Sequence, residues 1–192
     1  YKFFGPHSGV LYGKREHLTR LKPYKVRPAL DQTPDRWETG TKNHEGLAGV
    51  AAAIDYLAEL GQRLSDTPPS SRRAALQTAM QGIQSYERGL AEKLIAGLLA
   101  IPGLTFYGIS DPERFGWRTP TVSIRMQKHT PNEIATYLGE RGIFVWDGNY
   151  YAINLSERLG VEESGGMVRI GLAHYNTAEE VDRLLAALNE LA

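Results

Sequence analysis

The sequence contains no cysteine. That absence removes disulfides, thiolate metal sites and any sulfur nucleophile from the chain, and it says little about compartment. Net charge is missing as well: 22 lysines and arginines stand against 22 aspartates and glutamates. A chain so balanced offers no electrostatic footprint for nucleic acid or for an anionic membrane surface. No apolar run approaches the length that spans a bilayer, and the start lacks a signal-peptide pattern, so a cytoplasmic protein is the default expectation. No metal site is expected. The chain opens on Tyr1 rather than an initiator methionine, and it is expected to be a piece of a longer polypeptide.

What remains is a soluble-type composition over 192 residues, enough for one domain or for two small ones that share a helix. Tyr1-Lys2-Phe3-Phe4-Gly5-Pro6 places one lysine among aromatics ahead of a turn, and the run Gly9-Val10-Leu11-Tyr12-Gly13 is expected to form a buried strand. A lysine desolvated in such a place is driven towards the free amine, the form that attacks a carbonyl. The simpler alternative is a solvated lysine near a chain end. A short amphipathic helix comes next over residues 14–21, then an irregular connection over 22–36 with three prolines. Trp37-Glu38-Thr39-Gly40-Thr41 leads into a helix expected over 45–60, with Leu47, Val50, Ile54 and Leu57 at helical spacing and Gly61 as its stop. Backbone N–H groups at such a helix start, with the Thr41 hydroxyl beside Gly40, suit an anion such as phosphate. An N-cap and turn without any ligand also account for these residues.

Residues 62–71 read as a polar linker, and a long helix over 72–100 connects the N-terminal part of the chain to the C-terminal one. The remainder alternates. Strands are expected over 104–107 and 121–126, the second with Val122, Ile124 and Met126 on one face and Ser123 and Arg125 on the other. Thr130-Pro131-Asn132-Glu133 is a capping box that starts a helix over 131–141, with a short strand after it over 143–146. A further strand over 167–172 precedes Thr177-Ala178-Glu179-Glu180, which caps a last helix with Val181, Leu184, Leu185, Leu188 and Leu191 in its stripe. This is an α/β layer with helices covering a small sheet. Arg169 falls mid-strand, opposite in direction to Val168, Ile170 and Leu172. Its donor fork matches a carboxylate, and a solvated or salt-bridged face residue is the alternative. Tyr150 and Tyr151 read either as aromatic packing at a domain edge or as substrate contacts.

Three of these stretches, in this order, resemble one family. Tyr-Lys-Phe-x-Gly-Pro, with Gly-Val-Leu-Tyr-Gly after it, is similar to the Schiff-base segment of class V aminotransferases and cysteine desulfurase-like enzymes, which use pyridoxal phosphate on a fold-type I scaffold. The resemblance gives Lys2 the catalytic and cofactor-holding role. Trp-Glu-Thr-Gly-Thr resembles the family's Phe-Glu-x-Gly-Thr, whose threonine reaches the cofactor phosphate of the neighbouring subunit. It therefore implies that Gly40 and Thr41 bind cofactor and that the protein is a homodimer with composite sites. Arg-x-x-x-x-x-Tyr-Asn-Thr resembles the C-terminal motif whose arginine holds the substrate carboxylate, a role that falls on Arg169, with Tyr150 and Tyr151 as further substrate contacts.

The resemblance further implies the C-terminal half of such an enzyme, acting on a small amino-acid substrate. Residues 1–75 would be the remainder of the cofactor-binding large domain, and residues 76–192 the small α/β domain with its linking helix. The aromatic that stacks on the pyridine ring and the aspartate that pairs with its nitrogen are expected to precede Tyr1, so the 192-residue chain by itself is expected to be inactive. One departure is informative. Where desulfurases carry an arginine and then the sulfur-accepting cysteine, this chain has Trp146 and Tyr151, and a phenol forms no persulfide. The resemblance is thus to the desulfurase-like branch lacking that cysteine, with transamination, elimination and epimerisation all open. The competing reading is a non-catalytic paralogue or half-chain kept for dimerisation or partner binding.

Overall fold

The computed structural model describes residues 1–192, which divide into two compact units, Tyr1–Met80 and Gln81–Ala192. In the first unit the apolar spacing is satisfied by helices alone: α1 (Arg15–Arg20), α2 (His44–Arg63) and the start of α3 (Arg72–Leu99). Asn43 caps α2, its side chain accepting the Gly46 N–H at 2.8 Å. The buried face of α2 is small: Gly46, Ala53, Leu57, Ala58 and Gly61. It meets Ala75 and Ala79 of α3, and a Cβ built on Gly61 would lie only 1.8 Å from the Ala75 carbonyl oxygen. Gly61 is therefore not the stop expected of it. The helix runs on to Arg63, and the glycine is there to let two backbones touch.

Residues 9–13 do not form the expected strand. Val10, Leu11 and Tyr12 are 79%, 85% and 85% exposed, with no ladder partner. The four strands of this chain lie between Leu104 and Gly171, and none of them pairs with this run. The neighbouring irregular segment is held by side chains instead: Trp37 Nε1 donates to the Leu18 carbonyl at 2.8 Å, Arg36 to the Thr19 carbonyl at 2.9 Å, and Lys42 pairs with Asp35 at 2.7 Å.

The second unit is the α/β layer. Strands β1 (Leu104–Tyr107), β2 (Thr121–Met126), β3 (Trp146–Gly148) and β4 (Met167–Gly171) form one antiparallel sheet in the order β1-β2-β4-β3. Period-two alternation sends Val122, Ile124 and Met126 of β2 and Val168 and Ile170 of β4 into the core. They pack with Leu90, Leu94, Ile95 and Leu98 of α3, Ile134 and Leu138 of α4 (Pro131–Glu140), and Val181, Leu184 and Leu188 of α6 (Ala178–Glu190). Each fully buried aliphatic side chain contributes roughly 1.5–3 kcal/mol, which makes this core the rigid frame of the chain. Both expected capping boxes form, Thr130 with Glu133 and Thr177 with Glu180. The third strand starts later than expected, at Trp146 rather than residue 143. Ile143 and Val145 are spent on the core before pairing with β4 begins. No helix is long and apolar enough to cross a membrane.

Candidate functional site

The open face of the sheet carries the residues that face away from the core. Direct cross-strand partners line up as Tyr107, Ser123, Arg169 and Trp146, one from each strand. Arg169 is exposed, and the packed face behind it fixes its Cα. Its guanidinium carbon sits 5.8 Å from the centroid of the Trp146 ring and 5.3 Å from that of Tyr150. Two π-faces hold the cation in place at these distances without consuming its N–H groups. No carboxylate lies within ion-pairing distance of it, so the donor fork is available. An exposed arginine without an ion pair also fits the solvated strand residue expected as the alternative.

Tyr150 is half-buried with its hydroxyl enclosed and without a hydrogen-bond partner. Burial pushes its phenol well above the ordinary tyrosine range, opposed by the nearby Ser123 hydroxyl and by the positive charge of Arg169. Although the Ser123 hydroxyl is near, no hydrogen bond of good geometry closes to Tyr150 Oη. Tyr150 therefore acts here as a neutral aromatic wall. Tyr151 behaves differently, being 98% exposed. The same face holds Arg125, which donates to the carbonyls of Gly166 and, at 3.4 Å, Ser164, and so ties down the turn entering β4. After β4 the chain turns through Asn176, whose side chain accepts the Ala173 N–H at 2.8 Å and donates to Glu180 at 3.1 Å. The Tyr-Asn-Thr motif is thus a turn and a helix cap that set where β4 ends.

The first unit holds the other sequence-predicted residues. Lys2 is exposed, with its ammonium 4.5 Å from the centroid of the Tyr1 ring and no hydrogen bond or ion pair. The desolvated environment expected for it is not provided by this unit, because the apolar run beyond it lies open. Tyr1 in turn stacks on His7 at 4.4 Å. Gly40 takes φ +81°, and a Cβ there would meet nothing within 4 Å. Thr41 is exposed with its hydroxyl unpaired. The pair lies ahead of α2, as expected, and the helix itself begins at His44 with Asn43 filling the cap. Lys2, Gly40 and Thr41 belong to one unit, and Arg169, Tyr150 and Tyr151 to the other.

Sequence reasoning missed the groups that shape the loop between β3 and β4. Glu162 accepts from Asn149 Nδ2 at 2.9 Å and from the hydroxyl of Ser156, whose side chain is wholly buried. Short helix α5 (Ile153–Arg158) is the one place where the pattern gave a warning: Ile153 and Leu155 face solvent while its serine faces in.

The chain is similar to known proteins along its whole length. The aminotransferase class-V family profile matches residues 1–184. A cysteine desulfurase of Pectobacterium atrosepticum is 31% identical over the whole of this chain, and one of Yersinia pestis is 30% identical. The chain spans 44% of the length of each of these relatives. Among solved structures, a cysteine desulfurase of Escherichia coli superposes with a TM-score of 0.72 at 26% identity, over 98% of this chain and 43% of that one. The apo cysteine desulfurase of Thermococcus onnurineus superposes with a TM-score of 0.65 at 26% identity, over 82% of this chain and 33% of that one. The mixed α/β architecture is that of part of these enzymes, and the chain belongs to the aminotransferase class-V family, on its cysteine desulfurase-like side.

Proposed function

We propose that the intact protein is a pyridoxal-phosphate enzyme acting on a small amino acid, with Arg169 as the group that binds the substrate α-carboxylate. The observation that carries this reading is the unpaired guanidinium held between Trp146 and Tyr150 on a strand backed by a closed core. A fork oriented by rings rather than by a carboxylate is preorganised for a carboxylate that arrives with the ligand. Lys2 and Thr41 fit the cofactor on chemical grounds. The amine makes no hydrogen bond or ion pair and touches only the Tyr1 ring, the Thr41 hydroxyl is exposed, and the open left-handed Gly40 leaves backbone room for a phosphate. In this reading Lys2 holds the cofactor and moves the proton at Cα, while Thr41 and Gly40 donate to its phosphate. The cofactor itself supplies an electron sink for the carbanion.

Two copies making composite sites is part of the same proposal. With Tyr151 in place of a thiol, sulfur transfer through this loop is not part of the proposed activity.

The test is an absorbance titration of the cofactor-loaded intact protein with L-alanine and with ethylamine, which lacks the carboxylate. Loss of a charge-assisted pair costs about 1.5–3 kcal/mol, so Arg169→Ala should weaken alanine roughly tenfold to a hundredfold and leave ethylamine almost unchanged. Arg169→Lys should not restore it, since a point charge cannot replace the fork. Equal weakening of both ligands would make Arg169 a structural strand residue.

A further inference from the structure

Two consecutive tyrosines of the β3–β4 loop lie in the left-handed region, Tyr150 at φ 53° and Tyr151 at φ 62°. Residues with a Cβ avoid that region, and a pair of aromatics there persists only when the surroundings over-determine it. The surroundings can be named. Glu162 receives one N–H of Asn149 at 2.9 Å and the hydroxyl of Ser156. Asn149 uses its remaining side-chain oxygen to accept the Tyr151 N–H at 3.1 Å, and its carbonyl accepts the Ala152 N–H at 2.7 Å. Ser156 Oγ also lies 3.0 Å from the Ile153 carbonyl, an alternative acceptor for its single proton, so the hydroxyl that reaches Glu162 sits against the first turn of α5. At the base of the loop Gly148 bridges Gly166, so close that a Cβ on Gly166 would lie 2.2 Å from the Gly148 oxygen. Between these two anchors lie Tyr150 and Tyr151. The Tyr150 ring is what the loop delivers, 5.3 Å from the guanidinium of Arg169.

We propose that Glu162 is a positioning residue for the substrate site: acting through Asn149, its carboxylate keeps Tyr150 and Tyr151 left-handed and thereby holds the Tyr150 ring against Arg169. Glu162 touches no ligand. Its effect on ligands rests on the reading of Arg169 as the carboxylate-binding group, whereas its effect on the loop does not. Without it Asn149 loses a partner, the left-handed pair relaxes to negative φ, and Arg169 keeps only Trp146 as a wall. Ser156 and Asn149 are the two donors through which the device works, which explains a buried serine on a helix whose apolar residues face out.

The measurement is the Arg169 Nε–Hε resonance of the 15N-labelled chain, assigned through Arg169→Lys and displaced by the ring currents of Trp146 and Tyr150. Glu162→Gln keeps an acceptor for only one of the two donors and should move the resonance towards that of a solvated arginine. Glu162→Ala should move it further, with core resonances such as Ile124 and Leu188 unchanged. Tyr151→Gly added to Glu162→Ala should restore part of the displacement, because glycine takes positive φ freely. A residue that merely stabilised the fold would not be rescued this way. If Glu162→Ala fails to fold, Glu162→Gln with and without Tyr151→Gly carries the test. In the cofactor-loaded intact protein, Glu162→Gln should weaken L-alanine roughly twofold to tenfold, the range of one lost hydrogen bond, and leave ethylamine unchanged. An Arg169 resonance that stays in place in the Glu162 variants overturns the proposal. A resonance that moves while Arg169→Ala leaves alanine affinity intact supports the positioning role and refutes the carboxylate reading.

Discussion

Gly61→Ala sets two effects of known size against each other. In the interior of a helix alanine is better than glycine by about 0.5–1 kcal/mol, so propensity alone predicts a gain. The packing predicts a loss. The new methyl would start 1.8 Å from the Ala75 carbonyl oxygen, a backbone atom that cannot rotate away, and α2 and α3 would have to part there by more than an ångström. A gap of roughly 0.5–1 Å forfeits a quarter to a half of the contact energy of the atoms lining it, and overpacking of this kind costs about 1–3 kcal/mol. The loss wins. Leu57 is the one large aliphatic side chain buried in Tyr1–Met80, so little else holds these helices together. Gly89→Ala in α3 is the control, since a Cβ there meets nothing within 4 Å and only the propensity gain applies. Chemical denaturation read by hydrogen exchange of the α2 amides should show the first variant destabilised, and far-UV circular dichroism should show the second stabilised. Gly61→Asn separates packing from a helix-stop role, because a left-handed stop tolerates asparagine and a backbone contact does not. A Gly61→Ala protein as stable as the parent would refute the close crossing.

The two capping boxes should each be worth about 1 kcal/mol, so Thr130→Ala and Thr177→Ala should lower the melting temperature while the serine variants hold it. Acid should weaken the second unit. Four carboxyls are held below the ordinary range: Glu133 by the Thr130 backbone N–H, Glu180 by the Asn176 side chain, Glu162 by the Ser156 hydroxyl and Glu179 by its own backbone N–H. Folding favours their charged forms, so this stability is present above the unfolded value of about 4.3 and is lost as pH falls through the lower folded values. A melting temperature unchanged between neutral pH and strong acid would contradict this. The buried Tyr150 phenol works in the opposite direction. Its contribution is present below the unfolded value of about 10 and is lost as pH rises beyond it, so Tyr150→Phe should flatten the alkaline limb of the stability curve.

The legible parts of the fold were those decided within one element. Thr130 and Thr177 announce helix starts because a hydroxyl and a glutamate three residues on satisfy orphan N–H groups locally. The alternation through Thr121–Met126 and Met167–Gly171 fixes the core face and so puts Arg169 on the open one, before any partner strand is known. Failures came where a long-range partner decides. The run Val10-Leu11-Tyr12 has strand composition and nothing to pair with, and Gly61 looks like punctuation until Ala75 is seen against it. Glu162 carried no signal at all. A glutamate in a glycine-rich loop reads as solvent-facing, and its meaning lies in Asn149 and Ser156, which reach it from earlier in the chain.

The proposed site is therefore built unequally by this chain. In the second unit the proposed carboxylate-binding group stands on a closed core. Arg169 stands on a strand whose other face is closed by Leu94, Ile124, Leu138, Val168 and Leu188, all with no exposure, and a polar staple fixes the aromatic beside it. On the proposed reading, side chains set on such a frame lose little entropy when a ligand binds, so affinity for the carboxylate would belong to this unit alone. Lys2 and Thr41 have no such frame. They lie on exposed backbone in a unit whose buried hydrophobic residues are alanines and one leucine. A lysine in that setting keeps its water, and a hydrated ammonium does not add to a carbonyl. On the proposed reading, the surface that covers Val10, Leu11 and Tyr12 in the assembled enzyme is also what strips water from Lys2. Substrate recognition and lysine activation then depend on different parts of the molecule. Loosening the cover over Val10, Leu11 and Tyr12 would switch off the chemistry while the grip on the amino acid's carboxylate remained.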